Sequence, residues 1–532
     1  MSKFVAFGAA AVTAVLGAAL LGAALPARHT AAAAPASLSS VAHFRGARPS
    51  LAVEGTGATR HFVTFPTPIQ HVVVVVMENR TVDNLFSAYY SQPFPGGGTY
   101  GSALNLWDPN DRRHPLTQNA LGAPFDPRHN RYDAFVVESR GRWDLEHFSC
   151  AHYKCPKTAT PYSYVPASET DAYRQLVANW AFASDTLQAN EGPSWPAHQY
   201  LIAGQSGGEA GSATAPYSQA ENPGGSTQYA DLEVSEERDD SPSPDVLRAR
   251  GRFCGQTHVT LQTIDMLEGF GQSEKNNPIV TPCDEYGANH RGTLLDEASA
   301  RFGNPSNAAW QYIAHSTRSI WSAPLGVQHL YDQYQSTKNK TDASFTVDPG
   351  AQQFVADLAS ANPTRPFAHL TYVTPCFTQS DHPSSNVSPS QGPEWLAYVV
   401  NAIGQSKYWP NTTIVVTWDD WGGWFDHVGP LHPFPNAYPL PNSPNGNPND
   451  PLEYGFRVPL IVISPYVTHP AYVSTGQRSQ SAILRYIEDS LGLPSLGADD
   501  VYNDDLGDMF DFSHKPLPYV PITGVAKPKA FC

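Results

Sequence analysis

Two adjacent carboxylates, Asp419 and Asp420, follow the β-branched apolar run Thr413 to Trp418, and a glycine pair and Asp426-His427 come directly after them. The run has the Val/Ile/Thr content of a buried strand, and ligands of open α/β sheets bind beyond the carboxyl ends of strands. Two carboxylates held side by side repel each other unless a cation or a shared proton relieves them. The pair therefore points to a hard divalent metal or to an acid/base dyad. The same residues also suit a solvated Asp-Gly turn, and this segment alone leaves both readings open.

A second strand exit carries the same chemistry. The run from Ile69 to Met77 is almost continuously apolar and stops at Glu78-Asn79-Arg80, which offers a carboxylate and an amide oxygen, both ligands for a hard cation. Asn79 as a helix cap is the plainer reading. Ser194, within Asn190-Glu191-Gly192-Pro193-Ser194-Trp195-Pro196-Ala197-His198, stands where a helix should begin. It is either a cap or a nucleophile whose hydroxyl faces an oxyanion held by helix N-terminal amides, its proton affinity lowered by a metal. Among 19 histidines, His382 in Ser380-Asp381-His382-Pro383 has a neighbouring carboxylate able to fix its tautomer; His427 beside Asp426 and His129 near Asp126 resemble it.

An α/β scaffold is needed to hold these residues. Strands are expected at 69–77, 368–373, 413–418 and 459–464, with amphipathic helices at 395–403 and 481–491. Alternation of the two predicts a largely parallel central sheet flanked by helices. The Ser/Gly/Pro-rich segment 205–252 and the Pro/Asn-rich segment 430–453 read as loop-rich insertions within a domain of residues 66–515, preceded by a poorly ordered leader, 28–65, and followed by a C-terminal tail, 516–532. Lys3 and the apolar stretch Phe4 to Leu25 read as an export signal over residues 1–27, with cleavage as late as 36, or else as an uncleaved membrane anchor. A secreted or periplasmic location follows. The six cysteines suit such an oxidising compartment, and Cys150 with Cys155 is the local disulfide expected first. A net charge of −16 with no Lys/Arg run argues against nucleic acid and allows at most transient contact with a membrane surface. Oligomeric state leaves no trace in the sequence.

At this point the motifs resemble a known family. Met77-Glu78-Asn79-Arg80-Thr81-Val82-Asp83 is similar to the opening ENRSFD-type motif of the secreted phosphoesterases that include bacterial phospholipases C and a group of acid phosphatases. Gly192-Pro193-Ser194 resembles their nucleophile turn, the block from Thr417 to Val428 resembles their TWDE-GGFFDHV block, and Arg457 to Pro465 with the helix through Glu488 is similar to their final stretch. The resemblance implies an alkaline-phosphatase-like α/β fold, a divalent metal, and phosphate mono- or diester hydrolysis through a covalent phospho-enzyme. It makes Glu78, Asn79, Asp419 and Asp420 metal ligands, and Ser194 both nucleophile and ligand. His382 becomes a leaving-group acid or phosphate binder, His129 falls near an upstream family histidine, and His315 and His329 lie in the region of a further pair. Asp420 stands where many members have Glu, and Asp83-Asn84 replaces a common Asp-His. Two other readings are a secreted carbohydrate- or surface-binding protein, and a sulfatase or phosphomutase on the same fold. The latter is weakened because Ser194-Trp195-Pro196-Ala197-His198 lacks the arginine of the sulfatase pattern.

Overall fold

Five consecutive valines, residues 72–76, leave no polar side chain to turn towards water, so this strand can only be central. In the computed structural model the strand His71–Met77 is fully buried from Val72 onwards. The structure describes residues 67–89, 105–107, 113–129, 150, 155–190, 194–204, 230–234, 259–265, 275–280, 292–303, 309–317, 319, 321–338, 343–383, 391–428, 454–496 and 498–528. The chain divides into two units, Met1–Ala42 and His43–Cys532, and every described residue belongs to the second. The expected export signal, leader and 430–453 insertion lie outside the described residues.

Eight described strands form the main sheet: β1 His71–Met77, β2 Ala181–Ala183, β3 Trp310–Ala314, β4 Phe345–Val347, β5 Leu370–Val373, β6 Thr412–Trp418, β7 Leu460–Ile463 and β8 Tyr472–Ser474. Their order is β4-β3-β5-β1-β6-β7-β2-β8. Every pairing is parallel except the two made by β7, with β6 and with β2. The largely parallel α/β fold read from the sequence is therefore present, with each expected strand shifted by a residue or two at its ends.

Helices flank the sheet: α1 Val82–Phe86, α2 Ala167–Asn179, α3 Ser194–Ala203, α4 Gly392–Gly404 and α5 Ala482–Leu491. In α4, Trp395, Leu396, Val399, Val400 and Ile403 recur at three- and four-residue spacing and are all buried, which fixes the face it presents to the core. Burying each such side chain stabilises the fold by about 1.5–3 kcal/mol. Helix α4 packs against α2, and α5 packs against α3. Among the described residues no helix is long and apolar enough to cross a membrane.

Two segments differ from expectation. Within the region taken for a loop-rich insertion, Ala230–Val234 joins Val259–Asp265 and Lys275–Val280 in a separate antiparallel sheet. The expected tail is docked: Tyr519 donates its hydroxyl to Asn401 Oδ1 at 2.7 Å, and Trp409 Nε1 donates to the Leu517 carbonyl at 2.9 Å. Tyr519 and Ile522 thus meet Asn401 of α4, and Leu517 meets Trp409 beyond its end. The expected bridge between Cys150 and Cys155 is formed, and Cys376 is also disulfide-bonded.

Candidate functional site

Strand register builds the site. Met77 lies opposite Trp418 in the parallel β1–β6 pair, so the next residues, Glu78 and Asp419, emerge side by side at the carboxyl end of the sheet. The Asp419 amide donates to the Met77 carbonyl at 2.9 Å, and the Asn79 amide donates to Asp419 Oδ1 at 2.9 Å. Asn79 turns the chain with φ at 58°, a left-handed conformation that Asn tolerates better than most residues. Gly422, with φ at +62°, allows the loop after β6 to press on that turn, since a Cβ there would stand 2.3 Å from the Asn79 carbonyl oxygen. Gln480 Nε2 donates to the carbonyls of Trp418 at 2.7 Å and Asp419 at 3.0 Å, which clamps the end of β6.

Ser194 opens α3 as its position after a Gly-Pro pair suggests. It is buried, and its hydroxyl lies 3.1 Å from Glu78 Oε2 and 3.0 Å from Asp420 Oδ2. One hydroxyl proton can serve only one of these acceptors at a time. Asp420 is oriented by the Gly422 amide, which donates to its Oδ1 at 2.7 Å. One turn along α3, His198 Nε2 stands 3.0 Å from Glu78 Oε1 and 3.7 Å from Asp419 Oδ2. Burial pushes the His198 imidazole down to about 4, only partly opposed by the Asp419 charge, so the ring is neutral at pH 7.

Glu78, Asn79, Asp419 and Asp420 are all fully buried, and Asn79 Oδ1 and Asp419 Oδ2 accept no hydrogen bond. Orphaned buried oxygens beside three carboxylates are costly unless a cation shares them. The donor set of carboxylates, an amide oxygen and a hydroxyl fits a divalent ion, and Glu78, His198 and Asp419 offer ligand atoms within 4.8 Å of one another. All five sequence-predicted ligands thus meet in one place.

Two of the histidines named from sequence, His129 and His382, reach the same end of the sheet by different routes. His129 Nδ1 donates to the Pro127 carbonyl at 2.7 Å, so Nε2 accepts from Asn79 Nδ2 at 2.9 Å. That bond turns the Asn79 oxygen the other way. His382 Nδ1 donates to the Pro383 carbonyl at 2.7 Å, and its ring lies 6.3 Å from that of His129 and 4.7 Å from that of Phe377. The expectation that Asp381 fixes the His382 tautomer is corrected. The Asp381 carboxylate instead accepts the Tyr173 hydroxyl at 2.6 Å and Trp418 Nε1 at 3.1 Å.

His427 belongs to a separate network. Its Nδ1 is 2.7 Å from Asp83 Oδ2, while Arg457 donates to Asp426 Oδ1 at 2.8 Å and to Asp83 Oδ1 at 3.2 Å. Asp83, Asp426 and His427 are close enough to hold a metal, but the Arg457 guanidinium already supplies the positive charge. Burial pulls His427 down, yet its bond to Asp83 together with the charges of Asp83 and Asp426 outweighs this and its net shift is upward; burial raises Asp426, with Arg457 opposing. The other histidine pair is split: His329 is exposed and bonded to Asp296 at 2.8 Å, whereas His315 lies 5.7 Å from Trp321, itself a neighbour of His382. Burial lowers His315 to about 4. Sequence reasoning missed His198, Gln480 and Arg457 as parts of this end of the sheet. The spacing of His198, four residues after Ser194 on an expected helix, was the usable signal, because such residues share a face.

A model of the Phosphoesterase family matches residues 69–494. Phospholipase C B of Mycobacterium tuberculosis is 30% identical over 169 residues, 29% of this chain and 31% of that protein. Non-specific phospholipase C5 of Arabidopsis thaliana is 33% identical over 115 residues, 21% of each chain. The chain thus spans about a third or less of the length of these curated relatives. A solved protein of the alkaline phosphatase superfamily from Vibrio parahaemolyticus aligns with a TM-score of 0.30 and 10% identity, over 82% of this chain and 71% of that one. That score is too low to carry an argument.

Proposed function

The chain belongs to the phosphoesterase family, and from that premise we propose that it is an exported, metal-dependent hydrolase of phosphate mono- or diesters with Ser194 as its nucleophile. The observation that carries this is the hydroxyl of Ser194 held 3.1 Å from Glu78 and 3.0 Å from Asp420, beside the partnerless buried oxygens of Asn79 and Asp419.

In this reading Ser194 Oγ forms a bond to phosphorus as the bond from phosphorus to the leaving alcohol breaks, and its proton passes to the adjacent carboxylate of Asp420 or Glu78. A divalent cation, when bound by Glu78, Asn79, Ser194, Asp419 and Asp420, supplies positive charge against the negative charge building on the phosphoryl oxygens. His382 has its Nδ1–H anchored by Pro383, which leaves Nε2 to carry a proton to the departing oxygen. Asn79 holds His129 Nε2 in the neutral form at the same end of the sheet. Water then attacks phosphorus, giving a proton to His382 as the bond from phosphorus to Ser194 Oγ breaks, and the carboxylate returns its proton to Ser194, so that all three groups are reset.

The relatives named phospholipases C support a phosphodiester substrate, and the apolar stretch Phe4 to Leu25 together with the Cys150–Cys155 bridge supports export to an oxidising compartment. Ser194→Ala is expected to lower turnover of p-nitrophenyl phosphate and p-nitrophenyl phosphorylcholine by on the order of 10⁴-fold or more, while Tm stays within a few degrees of the wild type. Wild-type rates in that variant contradict the assignment.

A further inference from the structure

We infer that His198 is a nitrogen ligand of the cation at this centre and tilts its preference towards first-row transition ions over calcium and magnesium. The inference rests on the metal reading of the site given above and extends it to a residue outside the strand-exit motifs. His198 sits on α3 one turn after Ser194, 1% exposed, so helical spacing aims both side chains at the same strand ends.

Two distances decide between ligation and a simpler role. At 3.0 Å from Glu78 Oε1, His198 Nε2 is within hydrogen-bond range, and a ring that only oriented Glu78 would need nothing more. At 3.7 Å from Asp419 Oδ2 it is too far to donate, and Asp419 Oδ2 is left buried with no hydrogen-bond partner. The orienting role therefore satisfies one carboxylate and strands the other. A cation within the triangle satisfies all three atoms at once. Donors bound about 2.0–2.2 Å from one ion at angles near 90–120° lie roughly 2.8–3.8 Å apart, and the separations of 3.0 and 3.7 Å fall in that range. An imidazole among oxygen ligands favours ions such as Zn²⁺, Fe²⁺ or Ni²⁺, whereas calcium and magnesium prefer oxygen alone.

The test uses the purified full chain loaded with one equivalent of Mn²⁺ and read by pulsed EPR, with wild type, His198→Gln and Asp419→Asn compared. Gln at 198 retains an N–H able to reach Glu78 but removes the imidazole. The expected result is imidazole ¹⁴N modulation in the wild type and its loss in His198→Gln. Zn²⁺ affinity, measured by competition with a chelator, should fall roughly tenfold or more in that variant while Ca²⁺ affinity changes less than about twofold. Mn²⁺ that binds in an Asp419-dependent way with no nitrogen modulation, or modulation that persists in His198→Gln, overturns the inference and leaves the metal reading standing. Mn²⁺ binding that Asp419→Asn does not weaken overturns both.

Discussion

Asn79 joins the parts of the site with a single residue. Its amide holds Asp419, its Nδ2 holds His129, its Oδ1 is left open, and its φ of 58° makes the turn that aims them. Asn79→Ala removes the proposed cation donor, strips His129 Nε2 of its partner and adds about 1 kcal/mol of backbone strain. Bound metal should fall, and kcat/KM with p-nitrophenyl phosphate should drop on the order of a hundredfold or more. Metal analysis and steady-state kinetics check this, and unchanged values of both would remove Asn79 from the site. At this scale Glu78, Asn79, Asp419, Asp420 and Ser194 were legible, because each follows a patterned strand or opens a patterned helix. His198 was legible only through its spacing, four residues after Ser194 on an expected helix, and its place beside Glu78 shows only in the fold.

Elements carry the next level of control. Register between β1 and β6 sets Glu78 beside Asp419, and the loops leaving both strands are tied together by Arg457, which bridges Asp83 of α1 and Asp426 after β6. Both carboxylates are almost fully buried. Removing the guanidinium in Arg457→Met leaves two buried negative charges without their cation and should destabilise the fold by about 3–5 kcal/mol, measured by urea unfolding. A loss below about 1 kcal/mol would mean the network is solvated and weak. The main strands were legible from their apolar runs. Arg457 was not, because its partner Asp83 lies 374 positions away and only the sheet brings them together. The small antiparallel sheet was obscured by its setting: Ala230–Val234 alternates apolar and polar residues, yet sits among Ser, Gly and Pro that read as loop.

The whole molecule carries a charge of −16, and part of that acid is buried near its C-terminal end. Burial raises Asp489 to about 7, Asp499 to about 6 and Asp504 to about 6, with Arg485 opposing at Asp489 and Arg478 at Asp504. For Asp499 the folded value lies above the unfolded 3.8, so between about pH 4 and 6 the folded state binds more protons than the unfolded one and stability falls as pH rises. The cost is fully present above pH 6 and is on the order of 2–3 kcal/mol. Asp499→Asn removes this ionisation, so its Tm relative to the wild type should climb between pH 4.5 and 7; a flat or falling difference contradicts the assignment. Three histidines lowered to about 4 by burial, His71, His198 and His315, act in the opposite sense, which is why the variant difference and not the wild-type curve is the proper readout. The largely parallel α/β plan at this scale was legible from alternating strand and helix patterns, while docking of Tyr519 and Ile522 onto α4 was not, because their segment has no periodicity of its own. The most direct test of the central claim is mass spectrometry of the metal-replete enzyme quenched in acid during turnover of p-nitrophenyl phosphate. One phosphoryl group on the peptide containing Ser194, absent from Ser194→Ala, is the predicted result, and turnover with no adduct or with the adduct on another residue would contradict it.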